Sequence, residues 1–170
     1  MKLPLIREAR PEDAEQLLAN LRRLIAEPDM NIPLAPGEFN LTLEEERQVL
    51  ADYAAAVNSI FLVAEVDGEI IGALNLKGGT RQATRHTAVL GLSVSQAWRG
   101  QGVGSALMSQ AIAWARQTGV VNRLELYVYA RNQAAIALYG KFGFEIEGQR
   151  RRAIYQNGEY LDDLLMALLL

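Results

Sequence analysis

The sequence predicts a single α/β domain, of mixed α+β character, spanning residues 1–170. Its length of 170 residues suits one domain, since domains commonly hold about 100–200 residues. Apolar runs with the period of a strand alternate with stretches whose apolar residues recur at helical spacing. Two dipeptides, Asp67-Gly68 and Asn157-Gly158, are typical of tight hairpins. They therefore predict antiparallel pairing within the sheet.

The predicted order of elements is β-α-α-β-β-β-α-β-α-β-β. In residue numbers these are strand 5–9, helix 11–25, helix 42–58, strand 61–66, strand 70–76, strand 87–95, helix 102–118, strand 124–129, helix 132–142, strand 144–154 and strand 160–169.

Caps and breakers set the helix boundaries. Pro11 suits the first turn of a helix, where its missing N–H costs nothing. Residues 27–40 hold three prolines and one glycine, which predicts a loop. Thr42 followed by Glu45 is a capping-box pattern and predicts the start of the second helix. Gly119 follows the third helix, as expected for a C-terminal glycine cap.

The most informative segment joins the fourth strand to the third helix: Arg99-Gly100-Gln101-Gly102-Val103-Gly104, here called the glycine turn. Its glycines let backbone N–H groups approach an anion closely, and the first amides of a helix have no internal partner. The segment therefore predicts a phosphate site at a helix N-terminus. A Walker A loop would end in Gly-Lys-Ser/Thr, and a Rossmann fingerprint would carry Gly or Ala where Ser105 stands. Both of those nucleotide folds fit poorly.

Composition excludes several other classes. The chain has no cysteine, so it has no disulfide scaffold, thiolate metal site or cysteine nucleophile. A net charge of −3 gives no electrostatic footprint for nucleic acid. No apolar run reaches the roughly 18 residues of a membrane span, and Met1–Glu8 lacks the apolar core of a signal peptide. We expect a cytoplasmic protein with no metal, no nucleic-acid partner and no membrane partner.

Three segments together resemble the GNAT superfamily of N-acetyltransferases. Arg99-x-x-Gly102-x-Gly104 is similar to its central R/Q-x-x-G-x-G/A motif. The first strand and helix start, Ile6 to Ala14, and the segment from Asn132 to Tyr139 followed by Phe142-Gly143-Phe144 are similar to its other motifs. The resemblance covers nearly the whole chain, although residues 27–58 match only in type. It implies a mixed, mostly antiparallel sheet of seven strands flanked by about four helices, with strands four and five splayed apart.

The resemblance also implies acetyl-CoA as the co-substrate, lying in the V between the splayed strands. Backbone groups of Leu92, Ser93 and Val94 would pair with its pantetheine arm. The glycine turn, with Ser105, would hold its pyrophosphate. Asn132 would reach the pantetheine; alternatively it is simply a good N-cap for the fourth helix.

The implied reaction is direct attack of an amine on the thioester carbon, with a backbone N–H near Val94 as the oxyanion donor. By the resemblance, Tyr139 would donate a proton to the leaving thiolate; alternatively it only packs in the core. Many relatives carry a glutamate base on the fourth strand, but Thr87–Ser95 contains no acid. The remaining carboxylates on or beside predicted strands could act through water. These are Glu65, Glu125, Asp162 and Asp163.

The acceptor is left open by the sequence. A primary amine of a small molecule, such as an amino acid, a polyamine or an amine antibiotic, is the leading hypothesis. A protein or peptide N-terminus and a non-catalytic acyl-CoA sensor are the alternatives. Relatives often dimerise, so the resemblance allows a homodimer. The run Arg150-Arg151-Arg152 is typical of a solvated strand end, or else contacts an acidic acceptor or the 3′-phosphate of the cofactor.

Overall fold

The computed structural model describes residues 3–35 and 37–170; Met1, Lys2 and Pro36 lie outside it, and with them the first residues of the segment considered as a leader. The predicted order of strands and helices is confirmed. The elements are β1 (Leu5–Glu8), α1 (Ala14–Ile25), α2 (Leu43–Ala55), β2 (Ile60–Val66), β3 (Glu69–Gly78), β4 (Thr87–Val94), α3 (Val103–Thr118), β5 (Arg123–Tyr129), α4 (Gln133–Lys141), β6 (Glu145–Gln156) and β7 (Glu159–Leu169).

The strands form one seven-stranded sheet in the order β1-β2-β3-β4-β5-β7-β6. Neighbouring strands pair antiparallel except β4 and β5, which run parallel. Both predicted hairpins are confirmed. Asp67-Gly68 and Asn157-Gly158 have positive φ at both central residues, between 52° and 83°, which matches the twist of the flanking strands.

The central strands β4 and β5 separate along their length. Their ladder comprises three residue pairs and ends at Val89 opposite Glu125. Beyond it, 90–94 of β4 and 126–129 of β5 have no pairing with each other, whereas each stays paired to its outer neighbour. The splay implied by the resemblance is therefore confirmed. This unpaired stretch is called the seam below.

The two faces of the sheet are covered unequally. On one face, α3 and α4 bury a large apolar core with alternate residues of the strands, including Leu107, Leu124 and Tyr139. On the other face, α1 and α2 bury a smaller core over β1 to β3, around Leu50 and Val63. The half of that second face formed by β4, β5, β7 and β6 carries no helix, and Val89 and Tyr127 are 39% and 47% exposed.

The first helix begins differently from the prediction. Pro11–Asp13 form a 3-10 turn, and the α-helix starts only at Ala14. The reason is the Asp13 carboxylate, which accepts the backbone N–H of Arg10 and two guanidinium N–H groups of Arg7 at 2.7–2.8 Å. Arg7 also holds Glu65 of β2 at 2.7 Å. These bonds lower the pKa of Asp13, chiefly through Arg7, and fix the helix start against the sheet.

The end of β3 also differs from the prediction, which ended this strand at residue 76, whereas Gly78 belongs to it. Gly78 is the last residue of β3 and pairs with Ala88. A Cβ at this position would lie 2.3 Å from atoms of Asn58. Glycine is required here by close approach of two segments, a reason that sequence pattern does not reveal. Among the described residues, no helix is both long enough and apolar enough to cross a membrane.

Candidate functional site

The seam exposes backbone hydrogen-bonding groups of β4. The N–H of Ser95 donates to the carbonyl of Ile71 at 2.9 Å, which fixes the phase of the β3–β4 ladder. Leu92 and Val94 consequently direct their N–H and C=O groups towards β5, across the seam. Ser93 directs its backbone groups to the opposite side, where it pairs with Ala73. Of the three residues proposed to pair with a ligand strand, the geometry thus favours the first and the last.

The facing strand β5 has the same property. Ala130 donates its N–H to the carbonyl of Asp162 at 3.0 Å, so the even-numbered residues of β5 bond to β7. Tyr127 therefore directs its own N–H and C=O into the seam. An extended ligand lying there would find unpaired backbone groups on both sides, as an inserted strand does.

The glycine turn presents a row of free amides. Arg99 donates its backbone N–H to Gln96 at 3.3 Å, and Ala106 is the first residue of α3 to donate within the helix, to Gly102 at 3.0 Å. Between them, residues 100–105 have no acceptor for their N–H groups within the described chain. The backbone of Arg99 itself is therefore used internally. The six amides that follow, together with the positive end of the α3 dipole, are able to bind an anion.

The three glycines of the turn have different roles. Gly100 and Gly102 have φ of 73° and 86°, in the left-handed region that favours glycine. A Cβ built on either meets no atom within 4 Å, so conformation alone calls for glycine there. Gly104 is helical, and its Cβ would lie 3.2 Å from Leu138 of α4. This last glycine leaves room for the side chain of Leu138 beside the start of α3.

The side chain of Arg99 connects the glycine turn to the end of β4 and to the segment after α1. Its Nε donates to the carbonyl of Val94 at 2.9 Å, and its guanidinium forms an ion pair with Glu27 at 2.7 Å. Gln101 donates from Nε2 to the carbonyl of Ala97 at 2.7 Å. These contacts occupy side chains and leave the amides of the turn open. They also connect the turn to the segment that follows α1.

Asn132 stands at the N-terminus of α4 and fulfils the capping role. Its Oδ1 accepts the N–H of Ala135 at 3.2 Å. Its Nδ2 donates to no described residue, so one polar group of the side chain remains available to a ligand. The two interpretations offered by the sequence are thus compatible.

Tyr139 lies in the main core and is 7% exposed. Its ring packs against Phe144 with centroids 5.9 Å apart. Its hydroxyl has no hydrogen bond to a described residue, yet every fully buried side-chain polar atom among the described residues has a partner. The hydroxyl is therefore not fully buried and retains access to solvent. Burial of the ring raises the pKa of Tyr139 to about 12, so the phenol stays protonated at neutral pH.

The carboxylates considered as bases are all engaged. Glu65 pairs with Arg7, Glu125 with Arg123, Asp162 with Gln149 and the N–H of Arg152, and Asp163 with Arg150. Each of these carboxylates has a structural role, and they do not converge on the seam as a free base would. An acceptor that loses its proton to water needs none of them.

A strap of residues 26–35 runs along the side of the seam opposite α3. Three polar contacts tie it to the glycine turn, to the segment directly after β5 and to the end of β6. They join Glu27 to Arg99 at 2.7 Å, Asn31 to Arg131 at 3.2 Å, and Ile32 to Gln156 at 3.1 Å. The strap thus borders the helix-free half of the sheet, the face from which an acceptor would approach.

Sequence reasoning missed one constellation on this face. Arg150 of β6 makes two hydrogen bonds to Asp163 of β7, and its guanidinium lies 4.2 Å from the ring centroid of Tyr127 of β5. Counting residues back from the Asn157-Gly158 turn would pair Arg152 with Asp163. An irregularity between Arg150 and Ile154 inserts two extra residues in β6 and brings Arg150 there instead. The charge run was visible in the sequence, but the bulge was not.

Comparison with known proteins gives a consistent family. Residues 25–144 match the profile of the Acetyltransferase (GNAT) family. The acetyltransferase of the GNAT family from Streptococcus pneumoniae has a similar structure, with a TM-score of 0.93, 39% identity and coverage of 98% of this chain and 99% of that one.

Two curated relatives have names that describe different acetyl-transfer reactions. An L-amino acid N-acetyltransferase of Escherichia coli K12 is 41% identical over 106 residues, which are 62% of this chain. The match spans only 65% of that protein's length. An N-alpha-acetyltransferase of Sulfurisphaera tokodaii is 32% identical over 173 residues, covering 95% of this chain and 90% of its own.

Proposed function

The chain belongs to the acetyltransferase (GNAT) family, and from this premise we propose that it transfers an acetyl group from acetyl-CoA to a primary amine of a small molecule. The observation that carries the proposal is the row of free amides at 100–105, set where α3 begins beside the seam. A diphosphate is the anion that such a row suits, because several N–H groups and the helix dipole act on it together. The cysteine-free composition agrees with a cytoplasmic setting.

In this proposal the seam holds the rest of the co-substrate. Leu92, Val94 and Tyr127 offer backbone groups to the amide-bearing pantetheine arm, and Asn132 offers Nδ2. This arrangement aligns the thioester with the acceptor and removes the entropy cost of bringing them together. The N–H of Val94 is the oxyanion donor. The Val94 carbonyl accepts from Arg99, which restrains this residue.

The reaction exchanges one bond to the acetyl carbon for another, and protons move at the nitrogen and at the sulfur. The neutral amine attacks the thioester carbon, a C–N bond forms and the C–S bond breaks. The nitrogen loses its proton to water, and the thiolate takes a proton from water. A pKa of about 12 for Tyr139 lies roughly 3.5 above that of a thiol, so complete proton transfer costs about 5 kcal/mol. We therefore assign Tyr139 as a hydrogen-bond donor to the sulfur as charge develops there.

The strap supports a small acceptor over a peptide. Its three contacts tie it to the glycine turn and to the ends of β5 and β6, and we infer that a strap held in this way limits the room for an extended chain. The N-alpha-acetyltransferase relative keeps a peptide N-terminus as the second candidate.

The test is release of free thiol from acetyl-CoA with a panel of amines, amino acids and peptides. Tyr139→Phe should lower kcat by about 100-fold, the lower end for loss of one hydrogen-bond donor to a developing anion, with little change in the acetyl-CoA affinity. Tyr155→Phe is the matched control, because Tyr155 is 67% exposed on β6. Tight acetyl-CoA binding without turnover on any acceptor would favour a sensor instead, and turnover on peptides alone would favour the second candidate.

A further inference from the structure

The exposed guanidinium of Arg150 is held in a fixed place on the face from which an acceptor would approach. Its Nε and one terminal nitrogen bond Asp163, whose side chain is 3% exposed, while the Arg150 side chain is 54% exposed. The carbon centre of the guanidinium stands 4.2 Å from the ring centroid of Tyr127. The side chain thus reaches from β6 across β7 to β5, the strand that lines the seam.

The need to neutralise the buried carboxylate of Asp163 does not by itself explain the position of the Arg150 guanidinium. A guanidinium has five N–H donors, and the two bonds to Asp163 use two of them. The other three meet no described acceptor. The neighbouring carboxylates Glu125 and Glu147 are both taken by Arg123, at 3.0 and 2.6 Å. Arg150 therefore presents three guanidinium N–H groups that have no described acceptor, although carboxylates lie on the same face.

The bulge that follows Arg150 in β6 also restrains the position of its guanidinium. The bulge of β6 begins directly after Arg150, and Arg152 within it has a φ of 53°. The backbone N–H of Arg152 is held by the carboxylate of Asp162 at 2.8 Å. Bulges often re-aim side chains beside active sites. A guanidinium fixed by a buried acid and a stacked ring loses little entropy when it binds a planar anion.

We propose that Arg150 is the docking group for the carboxylate of the acceptor, which makes free α-amino acids the acceptor class. The inference rests on the proposed function and narrows it: polyamines, which carry no anion, are disfavoured. One edge of the guanidinium bonds Asp163 and the other receives the acceptor carboxylate. Tyr127, 47% exposed, offers its remaining ring surface to the acceptor side chain.

The experiment pairs each free amino acid, with apolar, basic and acidic side chains, with the amine left by its decarboxylation. The wild type should prefer the amino acid. Arg150→Met should lower kcat/KM for amino acids by about 10- to 100-fold, mainly through KM. It should leave kcat/KM for the decarboxylated amines and the affinity for acetyl-CoA unchanged. Arg151→Met, at the adjacent exposed arginine, should change neither.

A second variant keeps the inference falsifiable if loss of the ion pair unfolds the protein. Arg150→Lys retains a charge beside Asp163 but not the fork, and should show a smaller loss confined to amino acids. Equal losses for amino acids and amines would mean a structural role, and a loss of acetyl-CoA affinity would mean contact with the 3′-phosphate. Either result overturns the inference.

Failure of the proposed function gives a different pattern. If the wild type acetylates amines but shows no preference for an amino acid over the amine left by its decarboxylation, the inference fails and the proposed function stands. If no acceptor turns over, the proposed function fails. Calorimetric binding of amino acids to the CoA complex, compared between the wild type and Arg150→Met, then decides the inference: equal affinities refute it.

Discussion

The N-termini of α2 and α3 solve the same physical problem in opposite ways. At α2, Thr42 accepts the N–H of Glu45 at 3.2 Å, and the Glu45 carboxylate accepts the N–H of Thr42 at 2.7 Å. At α3, the cap position is Gly102, which has no side chain, and the first turn has no acid. The N-terminus of α2 pairs its first amides with its own side chains, whereas the N-terminus of α3 leaves its first amides without a partner among the described residues.

The difference teaches that a missing cap can be informative. A helix with glycine at the cap position loses roughly a few tenths of a kcal/mol relative to one with a capping side chain. At α3 that loss leaves the first amides of the helix free beside the seam. The third case, α4, lies between the two. Asn132 caps the helix with its oxygen and leaves its amide nitrogen free.

The largest effect is expected from closing the open terminus. Gly102→Val places a β-branched residue at a φ of 86° and displaces the amides. We expect the affinity for acetyl-CoA to fall by at least about 100-fold, because several charge-assisted hydrogen bonds are lost together. Calorimetric titration measures it.

Gly119→Val is the matched control at the other end of the same helix. Gly119 has a φ of 64° and, like Gly102, no atom within 4 Å of a built Cβ. Both variants should lose a similar amount of stability, about 1–2 kcal/mol of left-handed strain. Equal loss of affinity in the two variants would refute the diphosphate site.

An intermediate effect is expected at α4. Asn132→Asp keeps an oxygen cap and replaces the free nitrogen donor by an acceptor. The affinity for acetyl-CoA should fall about 3- to 10-fold, the equivalent of one hydrogen bond, while the melting temperature holds or rises, since an anion suits a helix N-terminus. Asn132→Ala should lose affinity and about 1 kcal/mol of stability together. An unchanged affinity in both variants would leave Asn132 as a cap alone.

The smallest effect on binding is expected at α2. Thr42→Ala should lower the free energy of unfolding by about 1 kcal/mol and leave the acetyl-CoA affinity unchanged, as measured by chemical denaturation and calorimetry. Any large loss of affinity would show that the two termini are coupled.

The same variant has a pH signature. Hydrogen bonds from Thr42, first from its backbone N–H, lower the pKa of Glu45. A lowered folded-state pKa stabilises the protein above the ordinary pKa of a glutamate, and that stabilisation is lost as the pH falls through the lowered value. Of the two bonds to the Glu45 carboxylate, Thr42→Ala keeps the backbone bond and removes only the bond from the hydroxyl, so the part of the stability difference that comes from the hydroxyl bond should shrink in acid. A difference that grows in acid would contradict the cap.

Local signals predicted most of the fold. The dipeptides Asp67-Gly68 and Asn157-Gly158 identified both hairpins because a type I′ turn needs two residues that tolerate positive φ. The pair Thr42 and Glu45 located the start of α2 because a capping box is complete within four residues. The start of α1 was displaced to Ala14 by contacts with Arg7 and Glu65, and Glu65 lies 58 residues from Arg7 along the chain.

The site divides in the same way. The glycine turn is one contiguous segment, so its free amides followed from a motif and the rule that helix starts leave amides unpaired. The phase of β4, which turns Leu92 and Val94 to the seam and Ser93 away from it, depends on the partner strand β3. A single sequence does not contain that register.

By itself, then, the sequence determined the order of the elements, the turns, the caps and the free amides at the start of α3, because each is encoded by residues close together in the chain. The tertiary structure alone decided where β4 and β5 part, how the strap is tied, and that Arg150 rather than Arg152 bonds Asp163 over the ring of Tyr127. These features arise from pairing between distant segments, and a bulge of two residues is enough to change which side chain reaches the seam.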